Sequence, residues 1–322
     1  MNYLYGVELV LDLHDCDPKV IRSRKRLREY VDQLCKILDM KKFGSDGLSA
    51  LFPLWLLKYL PNMPACHISI FFNLQGPNNT LTTGASAGLQ AVCEAFRIIQ
   101  RGSADLMLAG GAESKLNPLG LSHYKILGLL PGDSENPQEI CRPFDDKTRG
   151  LVIGEGAGFL LLEEYEHAKK RGAAIYAEIT GYGLSFSKGQ KSAMKIALKQ
   201  SQIAPKDIDY LQAAGLGIAG EDRKEAEAID DVFSPAGDLC VAVSKPAIGF
   251  TGFSAGPLDL ILCAQAVKKG EIPPVLNANG TACRYGFRLV KDHPAKKNIR
   301  HALTNAFGLG GECVSVALKS VC

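Results

Sequence analysis

Glu312-Cys313 sets a carboxylate beside a thiol, a pair that could serve hydrolysis or acyl transfer if both side chains reached one pocket. The plainer reading is that Cys313 opens the last strand. Ser86 lies in a small-residue turn (Thr83-Gly84-Ala85-Ser86-Ala87-Gly88), but no base for it is identifiable. The ten cysteines (16, 35, 66, 93, 141, 240, 263, 283, 313, 322) are scattered, with no Cys-x-x-Cys, and several fall in apolar patterns where a reduced core thiol is the usual reading. No metal-ligand spacing and no Gly-x-Gly-x-x-Gly or Walker loop is found, so neither a metal nor a cofactor is expected. Arg22, Arg24, Lys25, Arg26 and Arg28 follow the polar side of a helical pattern over 19–39. They make either a solvated face or a docking patch for an acidic partner.

Composition narrows the classes of function. The chain has 322 residues, and 37 basic against 34 acidic side chains leave a formal charge of +3. No global field draws it to nucleic acid, and 7% aromatic content argues against a stacking platform for single strands. The N-terminal segment has no basic n-region, and the most apolar run, 51–60, holds Pro53 and Lys58 and is half the length of a membrane span. A soluble, reduced, cytoplasmic protein is expected. The length suggests two domains or one large α/β unit with an internal duplication.

The elements that would position such groups alternate between strand and helix. Residues 79–83 read as a strand, 89–99 as a helix, and 106–111 as a continuous apolar strand of the kind buried on both faces. The stretch 113–150 carries four prolines and little periodicity, which reads as a long covering loop. Strands follow at 158–162, 174–183, 208–213, 239–244, 300–306 and 313–319, with helices at 192–203, 222–232 and 254–268. This alternation implies an α/β layered fold whose parts share one core.

Four stretches together carry a family likeness: Asn73-Leu74-Gln75-Gly76-Pro77 with the 83–88 turn; Gly102 through Glu113; Arg142-Pro143-Phe144-Asp145 with Gly154-Glu155-Gly156-Ala157-Gly158 and the 162–172 segment; and Asn305-Ala306-Phe307-Gly308-Leu309-Gly310-Gly311. In this order and spacing the chain resembles the β-ketoacyl-(acyl carrier protein) synthases, most closely the type II elongating enzymes. The resemblance implies a thiolase-like α/β fold, normally dimeric, with two related βαβαβ halves in α-β-α-β-α layers. The halves would divide at 1–165 and 166–322. The first would be incomplete at its N-terminus, with a divergent 8–62 segment.

The resemblance also implies a site, and this sequence departs from it. The family's decarboxylative condensation uses a cysteine at a helix N-terminus and two histidines. Ala85 stands at the cysteine position, Ala214 at the first histidine and Phe250 at the second, while Lys245 matches a retained lysine. The backbone N–H groups of Ala85 and Phe307 would form the oxyanion hole. Phe307 resembles the gating phenylalanine, and Leu309, Glu312 and Cys313 would line the pocket. Asp222 and Glu225 match acidic positions, with helix start and internal pairing as the structural alternative. Asn79, Thr80, Leu81, Thr82 and Thr83 would pair across a dimer axis. The function expected is a catalytically inactive, chain-length-factor-like partner of an active β-ketoacyl synthase, whether in a heterodimer or as a homodimer. The alternatives are a repurposed hydrolase or acyltransferase using Glu312 and Cys313, and a module binding acyl carrier protein or acyl chains, to which the Arg22–Arg28 run would be suited.

Overall fold

The computed structural model describes residues 45, 57, 60–132, 136–186, 189–233, 238–278 and 285–321. The basic run at Arg22, Arg24, Lys25, Arg26 and Arg28, the helix expected over 19–39 and nearly all of the divergent 8–62 segment lie outside these residues. The first half of the chain supplies α1 (Met63–Phe71), α2 (Ala87–Gln100), β1 (Leu106–Ser114), α3 (Pro118–Ile126), β2 (Glu155–Glu163) and α4 (Tyr165–Lys170). There follow β3 (Glu178–Phe186), α5 (Gly189–Ser201), β4 (Tyr210–Gln212), α6 (Ala219–Phe233), β5 (Cys240–Ala242), α7 (Lys245–Ile248) and α8 (Ala255–Lys269). Short strands β6 (Glu271–Ile272), β7 (Arg288–Leu289) and β8 (Ala295–Lys296) precede the long pair β9 (His301–Phe307) and β10 (Glu312–Lys319).

Packing divides the described residues into two units. One holds those up to Leu74 together with Asn117–Gly128; the other holds Gln75–Leu116 and everything from Leu129. In the first unit, α3 starts where Asn117 accepts a hydrogen bond from Gly120 N at 2.9 Å and Pro118 sits in the first turn, a position that needs no amide hydrogen. The stretch expected to be a loop over 113–150 therefore contains a helix. Side-chain capping and proline placement, rather than apolar periodicity, start it.

The second unit is built on a six-stranded sheet of order β3-β10-β9-β4-β5-β7. β10 runs antiparallel to β3 and β9, whereas β9, β4, β5 and β7 are mutually parallel. β4 and β5 are three residues long and buried throughout, as expected of central parallel strands. α5 packs along β3 and β10, and a methyl group on Gly183 would come within 1.9 Å of Ala193 O, so that glycine sets the spacing. α8 packs on β9 and β4 of this sheet and also on β2 of the separate β1–β2 pair, while α2 packs on β1 and α8. One buried cluster runs from Leu89 and Ala109 through Leu260 and Cys263 to Leu303 and Val316.

Two expectations need correction. β1 is not buried on both faces: its antiparallel register with β2 aligns Leu108 with Leu161 and Gly110 with Phe159, and this face is open, with Leu161 61% exposed. A continuous apolar run could not reveal which face would be covered. Residues 79–83 belong to no strand in this chain. They are mostly exposed, and no strand among the described residues pairs with them.

Leu260 is fully buried on α8. Leu260→Ala is expected to cost about 2–5 kcal/mol, read as a lowered Tm and denaturation midpoint at unchanged slope.

Candidate functional site

Three segments converge on the start of α2. The 83–86 turn leads into the helix, with Gly84 at φ +102°. The segment after Phe250 packs on its first turn, where a methyl group on Gly88 would lie 2.0 Å from Phe253 O. The turn between β9 and β10 is the third, held by Gly308 N donating to Glu312 O at 2.9 Å. Glu312 folds back over this turn. A methyl group on Gly308 would lie 1.6 Å from Glu312 Oε1, and one on Gly84 would lie 2.2 Å from the same oxygen. The sequence motifs at 83–88 and 305–312 are therefore brought together, with a buried carboxylate between them.

A second cluster holds the acidic positions. Glu225, on α6, accepts from Ala214 N at 2.9 Å, Gly215 N at 2.8 Å and Asn305 Nδ2 at 3.4 Å. Asp222, one turn earlier, accepts from Gly217 N at 3.1 Å and from Phe144 N at 3.3 Å. Both side chains thus position the 214–217 turn, which favours the structural reading of the pair. Gly215 has φ +44°, and a methyl group there would meet Val243 Cγ1 at 2.6 Å, so a close approach as well as a left-handed backbone calls for glycine. Burial first, then Glu225, pushes the Asp222 carboxyl up to about 7. Burial likewise raises Glu225, against the hydrogen bonds from Gly215 and Ala214.

Lys245 is buried and forms an ion pair with Asp259 of α8. Asp259 also accepts from Ser244 Oγ at 2.5 Å and from Gln212 Nε2 at 2.9 Å, and Tyr210 Oη donates to Gln212 Oε1. Asp259 and Gln212 were not singled out from sequence. The available signal was an acid inside an apolar helical run, Leu258-Asp259-Leu260. Glu113 closes the Gly102–Glu113 motif and lies on β1. It accepts from Phe253 N at 2.8 Å and pairs with Lys115 Nζ at 3.0 Å.

The remaining candidates are placed as follows. Ala214, Phe250 and Phe307 are buried, and Ala85 is half-buried beside Gly84. Phe250 bridges to Ile153, its N donating to Val152 O at 2.7 Å. Leu309, at the tip of the β9–β10 turn, is exposed. Cys313 is buried, its Sγ 3.8 Å from Gly311 O, and burial followed by Glu225 and Glu312 pushes the thiol up to about 11. Successive strand residues face opposite ways, so Glu312 and Cys313 do not form one nucleophile–base pair. Among the described residues no group of three His, Cys, Asp or Glu could hold a metal ion, and no helix is long and apolar enough to cross a membrane.

These features define a thiolase-like ketosynthase scaffold. The β-ketoacyl synthase N-terminal domain matches residues 39–168 and the C-terminal domain matches residues 176–279. The mitochondrial 3-oxoacyl-(acyl-carrier-protein) synthase of Arabidopsis thaliana is 36% identical over 90% of this chain and 67% of its own length. The 3-oxoacyl-(acyl-carrier-protein) synthase 2 of Rhizobium meliloti is 35% identical over 85% of this chain and 68% of its own. Among solved structures, a β-ketoacyl synthase from Burkholderia phymatum superposes with a TM-score of 0.82 at 28% identity, covering 88% of this chain and 71% of that one. The ishigamide ketosynthase/chain length factor gives a TM-score of 0.80 at 26% identity, covering 89% and 72%. This chain belongs to the β-ketoacyl synthase family and has its thiolase-like fold.

Two measurements probe the site's electrostatics. A carboxyl raised to about 7 in the folded state holds a proton that the unfolded chain, with an ordinary Asp near 3.9, has already lost. Its contribution to stability is therefore present below about pH 4 and is lost as pH rises towards 7, at no more than about 1.4 kcal/mol per unit. Asp222→Asn should flatten the fall in denaturation free energy between pH 5 and 7. Lys245→Met should lose about 3–5 kcal/mol by leaving Asp259 unpaired, and Lys245→Met/Asp259→Leu should recover much of it, both measured by denaturant titration.

Proposed function

We propose that this chain is a catalytically silent β-ketoacyl synthase homologue that acts as a chain-length-factor-like partner of an active ketosynthase in fatty-acid or polyketide-type chain elongation. The observation that carries the reading is the residue type at the three positions that the family resemblance makes catalytic. Ala85, Ala214 and Phe250 offer neither thiolate nor imidazole, yet the framework around them is intact. Glu225 still clamps the Ala214 turn, Lys245 is still paired at the start of α7, and the 83–86 turn still opens a 14-residue helix. A scaffold kept without its reactive groups suits shaping a partner's acyl tunnel better than turnover of its own.

Two solved neighbours bear on partners. One is described as a ketosynthase/chain length factor; another, with a TM-score of 0.81 and 27% identity, is described as a type II polyketide synthase acyl-carrier protein in complex with its ketosynthase. The reading takes an active synthase as the primary partner and acyl carrier protein as the second. The exposed, unladdered 79–83 segment would complete a strand pair across the dimer axis. The chain would divide into halves at 1–165 and 166–322, and the cytoplasm is the compartment proposed. The hydrolase or acyltransferase alternative is not favoured, since a buried thiol raised to about 11 is protonated at neutral pH.

Co-expression with an intact ketosynthase is the test. The expected outcome is a 1:1 complex on size-exclusion chromatography and a shift in product chain length relative to the synthase alone, with no condensation of acyl and malonyl thioesters by this chain by itself. Condensing activity of the isolated chain, or a stable lone homodimer that ignores the synthase, would overturn the proposal.

A further inference from the structure

The Glu312 carboxylate is the feature that the partner reading leaves unused. It is 8% exposed although it belongs to the first residue of a terminal strand pair. Three glycines make room for it: methyl groups on Gly308 and Gly84 would lie 1.6 Å and 2.2 Å from Oε1, and one on Gly310 would lie 2.8 Å from Oε2. A side chain at any of the three would displace the carboxylate or be displaced by it.

The place where it lodges calls for an anion. α2 begins at Ala87, its cap residue Ser86 makes no side-chain capping bond, and its first turn holds no acidic residue. Fourteen residues of aligned peptide dipoles end there, two residues beyond Ala85, and Ala87 N donates to Gly84 O at 2.9 Å. β10 brings the Glu312 carboxyl across the fold to Gly84, three residues before this helix begins.

We propose that Glu312 is a built-in occupant of the acyl position: its carboxylate fills the space between the 83–86 turn and the β9–β10 turn, where an acyl thioester carried at residue 85 would lie. The inference rests on the reading of the 83–86 turn as the family's acyl-bearing turn. Its consequence is selectivity. The filled space excludes acyl thioesters by bulk and malonyl thioesters by like charge as well, so the chain contributes shape to an assembly and takes no acyl group there.

The test introduces a thiol at the occupied position. Ala85→Cys, Ala85→Cys/Glu312→Gln and Ala85→Cys/Glu312→Thr are treated with iodoacetamide. The introduced sulfur forms a C–S bond to the acetamide carbon, iodide leaves, and the thiol proton passes to buffer. Peptide mapping against the wild-type chain separates this site from the native cysteines, and circular dichroism with thermal melts confirms folding of each variant. Alkylation in the Glu312→Thr background is expected to be faster by about tenfold or more than in Ala85→Cys alone, as removal of a buried like charge and its bulk favours the thiolate. The Glu312→Gln background, which keeps the bulk and loses the charge, is expected to fall between them. Equal rates in all three folded variants would overturn the proposal. A second arm offers an acyl-pantetheine thioester to the same variants. Faster alkylation with no acyl transfer in any variant would leave the carboxylate as occupant while refuting the acyl reading of the turn.

Discussion

A carboxylate in the middle of a buried helix constrains the centre of this protein. Asp259 lies on α8, which packs on both the six-stranded sheet and the β1–β2 pair, and it is 1% exposed. Such a charge must be met by hydrogen bonds and an opposite charge or the fold is penalised by several kcal/mol. It is met by Lys245, Ser244 and Gln212, which stand at the ends of β5 and β4 or the start of α7. The strand ends that line the family's site are thereby tied to the helix that separates the sheets. This buried network, rather than the side chains at 85, 214 and 250, ties these elements together.

Close backbone approach is the second organising feature. Gly256 lies against Leu89, and Gly88 and Gly111 both lie against Phe253 O, so α2, β1 and the segment leading into α8 meet at separations that no larger residue would permit. Glu113 then holds the same segment by accepting from Phe253 N. These contacts bring the 83–86 turn, the 250–254 segment and the β9–β10 turn into one neighbourhood, though they are far apart along the chain. Glu225 and Asp222 act likewise on the 214–217 turn, at the cost of burying two carboxylates next to each other. Burial, and then that proximity, is why Asp222 titrates far above an ordinary aspartate.

Much of the second unit was legible from the residues. Apolar spacing located α2, α5, α6 and α8, and alternation or continuous apolar runs located β2, β3, β4, β5, β9 and β10 within a few residues. The family motifs were legible too, because glycine turns and charged corners are local signals. α3 was missed because its start depends on Asn117 and Pro118 rather than on periodicity. The open face of β1 and the missing ladder at 79–83 were missed for a different reason. Whether a strand is covered or paired depends on what lies beside it in space, and a window of sequence holds no record of that.

The same division holds for the site. The sequence by itself determined that residues 85, 214 and 250 carry no nucleophile and no imidazole, since side-chain chemistry is a property of residue type. It also determined the α/β class, since periods of 3.6 and 2 are written within single elements. Only the tertiary structure decided that Glu312 and Cys313 part company, the carboxylate turning to Gly84 and Gly308 while the thiol is buried and protonated. Only it paired Lys245 with Asp259, fourteen residues on. Distances between side chains on different elements are set by packing, and burial sets their charge.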